Sequence, residues 1–459
     1  MRWDDVYLRA CATRLPAVMP AEEAVARGLV DAVSVRRMQS TGVTVGEQSP
    51  PDMAVAAART ALGRSGVVPD DIALLLHASL YHQGYDMWAP ASYVQRLGVG
   101  NRCPAMEVRQ TSNGGMAALE LAAAHLTATG APAAMITTAD RFCAPGIDRW
   151  RTDPGTVLAD GATATVVARG RGFARLVSLV LVSEPGLEEM HRGEDPPGDA
   201  PLAVRCPVDF EATTRVYLRT AEGQRSVARM ANAQTETIER ALEEAKAQQA
   251  DIDWFVLPHL GRRRLDVNFF RRYGIDPERT LWSWSRGIGH LGAGDQFAGL
   301  THLVESGGGR GRGRGRCCWG WAVASPGRRR SWSSPTCPPG RRPPPLKQTC
   351  SASPQSPEGM PPRQPGPAHE REKIFMTIDD LRRILVECAG EDETGSLDGD
   401  ILDTPFADLG YDSLALMETA GRIKQEFGVV IADEDIATVE TPRVLLDTVA
   451  ELSRSVAAA

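Results

Sequence analysis

The stretch from 307 to 375 constrains this chain most, because nothing in it can build a core. It opens GGGRGRGRGRCCWGWAVASPGRRRSWSS and continues in Pro, Gly, Arg and Ser, with 13 Lys+Arg against 3 Asp+Glu and no apolar period. Such a composition buries too little apolar surface to offset the entropy of ordering the backbone. It reads as a disordered basic linker, and it divides the 459 residues into two parts that must fold separately. An Arg/Gly-rich arm for nucleic acid is the alternative. No other part of the chain points to nucleic acid, so none is expected as a partner. Residues 1–306 carry a net charge near −4, and residues 376–459 carry −13.

The chain has no run of about 18 apolar residues, so no membrane span is expected. Its start, MRWDDVYLRACATRL, lacks the pattern of a signal peptide. Nine cysteines without C-x-x-C pairs suggest free thiols in a cytoplasmic protein. Cys317, Cys318, Cys337 and Cys350 crowd the middle stretch without histidine partners, and no metal site is expected.

Residues 1–306 alternate helical and strand-like segments. Helical spacing appears at Pro51–Leu62, Pro90–Leu97 and Met116–Thr127, and strand character at Ile72–His77, Met106–Arg109, Ala134–Thr138 and Gly161–Ala168. A similar order returns with a helix at Ser226–Lys246, a strand at Trp254–Leu257 and a helix at Gln296–Val304. This alternation predicts an α/β fold with covered sheets. Two similar halves predict an internal duplication.

The 84 residues from Met376 contain FADLGYDSLALMETAGRIKQEFGV. Asp412 is a good N-cap, and Ser413 then opens a helix whose Leu414, Met417 and Ala420 share a face. The acidic surface suits docking onto Lys/Arg patches. Taken alone, Asp-Ser before a helix is an ordinary capped terminus. Leu-Gly-x-Asp-Ser-Leu within a small acidic helical domain resembles the acyl carrier proteins. That resemblance implies a small all-α four-helix carrier domain with 4'-phosphopantetheine on Ser413. It also implies a phosphopantetheinyl transferase as a partner.

Several motifs in residues 1–306 together resemble ketosynthase III, a thiolase-fold family. Leu158–Ala164 is similar to its Gly-Asp-Gly-Ala turn, Val256-Leu257-Pro258-His259 to its strand ending in Pro-His, and Gly287–Leu300 to its Gly-Asn loop before a helix. The resemblance implies a duplicated thiolase-like fold, layered αβαβα, and a homodimer formed through this domain. The family nucleophile is a cysteine at a helix N-terminus. Here that place reads Glu-Val-Arg-Gln-Thr-Ser112-Asn-Gly-Gly, and Cys103 lies too early to substitute.

A helix dipole worth about 1 kcal/mol can help ionise a thiol with a pKa of about 8.5. It cannot ionise an alcohol near neutral pH. Ser112 therefore needs a base, and the base needs an orienting partner. His290 stands where the family loop has asparagine, and Asp295 follows five residues later. Ser112, His290 and Asp295 are thus expected as nucleophile, base and orienter. The bland reading makes Ser112 a helix cap and His290 a surface residue in an inactive protein.

His259 matches the histidine that, with the asparagine, stabilises an enolate oxygen in decarboxylating members. Losing the asparagine argues against condensation and leaves acyl transfer. His191 reads as a surface loop residue with the pocket as its alternative. His77, His82, His125 and His302 read as core or surface. The backbone N–H of Ser112 and a glycine-rich partner loop are natural oxyanion donors.

This pattern resembles the acyl-transfer branch of ketosynthase III-like enzymes of antibiotic pathways, some of which load starter units. The expected function is transfer of a short acyl starter from acyl-CoA through Ser112 to a phosphopantetheinyl acyl carrier protein, alongside polyketide synthase components. The alternatives are a decarboxylating 3-oxoacyl-carrier synthase III, a non-catalytic scaffold with a working carrier domain, and acylation of a sugar or tailored product.

The middle stretch admits one more reading. Its composition is what GC-rich DNA yields out of frame. Back-translating Arg316 to Ala322 and starting each codon at the old third base forces Leu-Leu-Gly-x-Gly, which synonymous choices extend to Val-Leu-Leu-Gly-Val-Gly-Gly-Gly-Phe-Thr-Trp. That apolar strand with its glycine-rich turn resembles the last strand of ketosynthase III proteins. A frameshift near 307 is therefore expected to destroy the C-terminal strand of the 1–306 domain and to run into a carrier gene starting at Met376.

Overall fold

A computed structural model of the chain describes residues 3–307, 317–319, 322–326, 376–389, 397, 399–406, 408–409, 411, 413–431, 433–436 and 439–458. The N-terminal part is built on β1 (Val6–Arg14), a small β2/β3 ribbon (Val18–Pro20, Gly42–Thr44), β4 (Ile72–Ala78), β5 (Ala105–Val108), β6 (Ala133–Asp140), β7 (Gly161–Arg169), β8 (Ala174–Leu179), β9 (Trp254–Val256), β10 (Cys317–Trp319) and β11 (Ala322–Pro326). Apart from the ribbon, the strands form one sheet in the order β5-β4-β6-β7-β1-β8-β11-β10-β9.

The order exposes a duplication. In the first half β5, β4 and β6 are parallel, and β7 and then β1 return antiparallel. In the second half β9 and β10 are parallel, and β11 and then β8 return antiparallel. Tyr7 opposite Arg175 and Leu8 opposite Ala174 join the halves across β1 and β8, and Trp3 N donates to Val177 O beside them.

Three helical layers cover these two half-sheets. The helix Pro50–Ser65 starts at the Ser49 cap, carries Pro at its first positions and stops at Gly66 with φ 62°. Its Met53, Ala54, Ala57, Ala58 and Ala61 pack on Leu75, Met135 and Val166 of the first half. The helix Ala221–Ala245 packs Ala241 with Val180 and Phe255 of the second half. Between the half-sheets lie Gly114–Thr129 and Asp295–Glu305. They share a core in which Met116, Leu119, Leu126, Phe297 and Leu300 meet Leu76 and Ile136 from one half and Leu179 and Val256 from the other. The small residues of GGMAALELAAAHLTAT suit that central place, because they let backbones approach on two sides. The expected αβαβα layering is present, and all eight residues of β6 are buried, as strands covered on both faces should be.

One expectation needs correction. The C-terminal strand of the 1–306 domain was expected to be destroyed, yet the backbone at 317–319 pairs with β9 and that at 322–326 pairs with β8. A half-sheet with open ladder groups beside β8 and β9 is a template that even an atypical segment can satisfy. Apart from these eight residues, the expected disordered linker lies outside the described residues.

The C-terminal part has helices Ile378–Ala389, Ser413–Phe427, Asp433–Ile436 and Pro442–Ala458, the four expected. Leu381, Ile384, Leu385, Phe406, Ile423, Leu445 and Val449 form its core. The Asp412 cap lies outside the described residues. Among the described residues no helix is long and apolar enough to cross a membrane, and no His/Cys/Asp/Glu cluster could hold a metal ion.

Candidate active site

The two central helices bring their N-termini together, and the predicted residues gather there. Ser112 lies between β5 and the helix that begins at Gly114. Thr111 just before it has φ 46°. A β-branched residue in the left-handed region is strained, and strain of this kind belongs to turns that push a nucleophile out of a strand–helix junction. Gly115 lets the junction form, because a Cβ there would collide with the carbonyl oxygen of Ala293.

His290 is fixed by its backbone. Its N–H donates to Val157 O at 2.8 Å, and its carbonyl accepts from Ala159 N at 2.8 Å. Gly289 makes that approach possible: its φ is +85°, and a Cβ would sit 2.9 Å from both Ala159 Cβ and Val157 O. The ring then spans the site. The Ser112 hydroxyl lies 2.8 Å from His290 Nε2, and His290 Nδ1 lies 2.6 Å from Asp295 Oδ2. With the acid on Nδ1, that nitrogen donates and Nε2 is left to accept the serine proton.

Asp295, in the first turn of its helix, is more than a partner of His290. Oδ2 also accepts from His259 N at 2.7 Å, and Oδ1 accepts from Leu291 N at 2.7 Å. Burial works to raise its pKa, but the charges of His290 and His259 and these hydrogen bonds win and hold it at about 2. His290 responds in the opposite sense. Burial would lower it, yet Asp295 raises it above its ordinary value by charge and hydrogen bond.

His259 joins the site in a different state. Its Nδ1 donates to Gly289 O at 3.0 Å. Nε2 is buried with no protein partner among the described residues, and in the neutral ring it carries the lone pair, because the proton sits on Nδ1. Burial lowers its pKa, against the charge of Asp295 and the Gly289 carbonyl. The edge of Trp284 holds the ring at 5.3 Å, and His302 stacks on Trp284 at 4.3 Å.

Of the other histidines, His77 is a core residue, while His191, expected in a surface loop, lies in the short helix Glu188–Arg192. His77 is buried between Thr137 Oγ1 (2.9 Å) and Gln83 Oε1 (3.1 Å), and burial takes it down to about 4. His191 is exposed and stacks on Phe210 at 4.5 Å. Sequence reading missed Asp140 at the end of β6. Its Oδ1 accepts from Leu80 N (2.9 Å) and Tyr81 N (2.7 Å), and a Cβ on Gly292 would collide with its carboxylate. It thus backs the loop that carries His290, and burial pushes it up to about 7. The only local signal was an acid closing a buried strand, which does not reveal what it supports.

Ser413 is the first residue of the helix Ser413–Phe427. A helix N-terminus favours a phosphodiester, so the position fits a phosphopantetheine linkage. The group supplies a thiol at the end of a long arm. Three arginines of the larger domain reach the carrier part. Arg37 donates to Asp408 O at 2.6 Å, Arg271 donates to the carbonyls of Val386 and Glu387, and the Arg263 guanidinium lies 4.4 Å from the Tyr411 ring centre.

Comparison with known proteins agrees with this division. A family model for the phosphopantetheine attachment site matches residues 380–449, and one for the C-terminal part of 3-oxoacyl-[acyl-carrier-protein] synthase III matches residues 242–313. The granaticin polyketide synthase acyl carrier protein of Streptomyces violaceoruber is 64% identical over 74 residues, which cover 16% of this chain and 87% of that protein. The beta-ketoacyl-[acyl-carrier-protein] synthase III of Neisseria meningitidis is 26% identical over 242 residues, covering 50% of this chain and 68% of that one. Among solved structures, the acyltransferase ChlB3 superposes with a TM-score of 0.65 at 33% identity, over 71% of this chain and 97% of ChlB3. The carrier part therefore bears covalent 4'-phosphopantetheine. The chain belongs to the ketosynthase III-like thiolase-fold family in its N-terminal domain and to the polyketide synthase acyl carrier proteins in its C-terminal domain.

Proposed function

We propose that the N-terminal domain moves a short acyl starter from acyl-CoA through Ser112 to a phosphopantetheinyl carrier in polyketide biosynthesis. The observation that carries this reading is the unbroken relay from Ser112 Oγ through the His290 ring to Asp295. In the first step the Ser112 oxygen attacks the thioester carbonyl while His290 takes its proton, and the CoA thiolate leaves with that proton. Asp295 stays ionised and holds the imidazolium. In the second step His259 takes the proton of a carrier thiol, the sulfur attacks the ester carbonyl, and the bond from that carbon to the Ser112 oxygen breaks; the leaving oxygen takes a proton from solvent by way of His290, and His259 returns the thiol's proton to solvent. Ser413 is the proposed attachment point of the carrier arm, loaded by a phosphopantetheinyl transferase.

The state of His259 favours transfer over condensation. Stabilising an enolate needs a proton on the nitrogen that faces the substrate. Here Nδ1 holds the proton against Gly289 O, and the buried Nε2 carries a lone pair. That arrangement suits a base for the incoming thiol. A homodimer through this domain is also proposed: β5 ends the sheet, with Met106 and Glu107 exposed on it.

Incubation with radiolabelled acyl-CoA tests the nucleophile. Ser112→Ala should abolish covalent label on the N-terminal domain, while Ser112→Cys keeps part of it. Equal labelling of Ser112→Ala and the parent protein would reject the assignment.

A further inference from the structure

Asp140 is a fully buried carboxylate that the proposed transfer steps do not use. It closes β6, where Oδ1 accepts from Leu80 N at 2.9 Å and from Tyr81 N at 2.7 Å. The N–H of Ala293 hydrogen-bonds to the same carboxylate. Its hydrogen-bond partners among the described residues are thus backbone N–H groups of two loops far apart in sequence. Burying a carboxylate on neutral donors is costly, and burial pushes this one up to about 7. Strongly perturbed acids gather at functional sites.

Ala293 is where the two parts of the relay meet. It follows His290 by three residues and precedes Asp295 by two. Its carbonyl oxygen abuts Gly115, so closely that a Cβ there would collide with it. Its own Cβ lies against Gly114, where an added Cβ would sit 3.4 Å away. Gly114 opens the helix just after Ser112. The Ala293 peptide is therefore a wedge between nucleophile and base. Its carbonyl end faces the Ser112 helix, and its N–H end is held by Asp140. Gly292 packs on the same carboxylate, which a Cβ would strike. The other side of the clamp is the turn after β4, through the N–H groups of Leu80 and Tyr81.

We infer that Asp140 is a positioning residue: by tying the Ala293 peptide to the turn after β4, it sets the Ser112 helix and the His290 ring at their working distance. It touches neither Ser112 nor a substrate, and it acts through His290. A carboxylate suits the task because both of its oxygens accept. An amide keeps the shape but turns one acceptor into a donor, so an N–H facing that nitrogen loses its partner. The effect on acylation by acyl-CoA rests on the transfer reading; the mounting of His290 against Ser112 does not.

The test uses the full-length chain and two reagents for Ser112. One is radiolabelled acyl-CoA. The other is a small phosphonofluoridate, which phosphonylates a base-activated serine and releases fluoride. Asp140→Asn should slow acylation at saturating acyl-CoA roughly 100-fold, the cost of about 1 Å of misplacement. The half-saturating concentration should stay within about threefold, as for a group that does not touch the substrate. Gly292→Ala reaches the same clamp from the loop side by forcing loop and carboxylate apart, and it should slow the same step. In the Asp295→Asn background, where His290 has already lost its orienting partner, Asp140→Asn should cost less than about threefold. A loss of roughly 100-fold in both backgrounds, or of less than about threefold in the parent, overturns the inference. Phosphonylation slowed roughly 100-fold by Asp140→Asn, in a chain that takes no acyl group from acyl-CoA, upholds it and rejects the transfer reading instead.

Discussion

The two central helices occupy equivalent places in the duplicated fold, yet their N-termini do opposite work. The one beginning at Gly114 has no side-chain cap and presents Ser112 just ahead of it. The one beginning at Asp295 carries a buried acid in its first turn. On the proposed transfer, one terminus would keep its partial positive charge for the oxygen that becomes anionic. The other places its acid where two histidines and two loop N–H groups converge. Duplication thus supplied two similar dipoles, and local sequence made one a donor site and the other an anchor.

The largest expected effect breaks the anchor. Asp295→Asn removes the charge but keeps the shape, so His290 loses its hold on the Nδ1 proton. Acylation of Ser112 should fall by a factor on the order of 10³–10⁴, while circular dichroism still reports a folded chain. A loss below tenfold would mean that the second helix does not orient the base.

A smaller effect separates the two histidines. His259→Gln should leave acylation of Ser112 by acyl-CoA within about twofold and slow transfer to a thiol by roughly 100-fold, the range of general-base catalysis. Single-turnover assays of each half-reaction measure this directly. Equal losses in both halves would show that His259 acts on the nucleophile as well.

The subtlest effect is a pH limb. His290 must be neutral to accept the serine proton, and Asp295 holds its pKa above the ordinary value of about 6.5. Acylation should therefore rise with pH through a midpoint above 6.5 in the parent. In Asp295→Asn the raising charge is gone, so the residual activity should show its midpoint at lower pH. An unmoved midpoint would assign the limb to another group.

Much of this site was legible because its signals are local. Ser112 sits between a strand and a glycine-rich helix start, and His290 and Asp295 stand five apart, in a loop and at the start of the helix that follows. His259 closes a short strand. What remained illegible depends on contacts distant in sequence. Asp140 backs the His290 loop from 150 residues away, and β1 and β8, whose brief pairing joins the halves, escaped notice. VYLRACATR mixes polar and apolar positions, because the strand is buried by neighbours that its own pattern cannot announce. β10 and β11 also lay beyond reach, since no propensity places Cys-Cys-Trp beside β9.

The pairing of β1 also bears on how the chain comes off the ribosome. β1 is made before its partner β7, which follows about 150 residues later. At roughly 5–20 residues per second, an apolar strand holding Leu8, Ala10, Cys11 and Ala12 waits on the order of ten to thirty seconds with its ladder groups open. The helix Pro50–Ser65 emerges in that interval and contacts the same strand, offering temporary cover. The join between the two half-sheets is therefore begun early and finished late, and a nascent chain stalled before β7 would expose this edge to other chains.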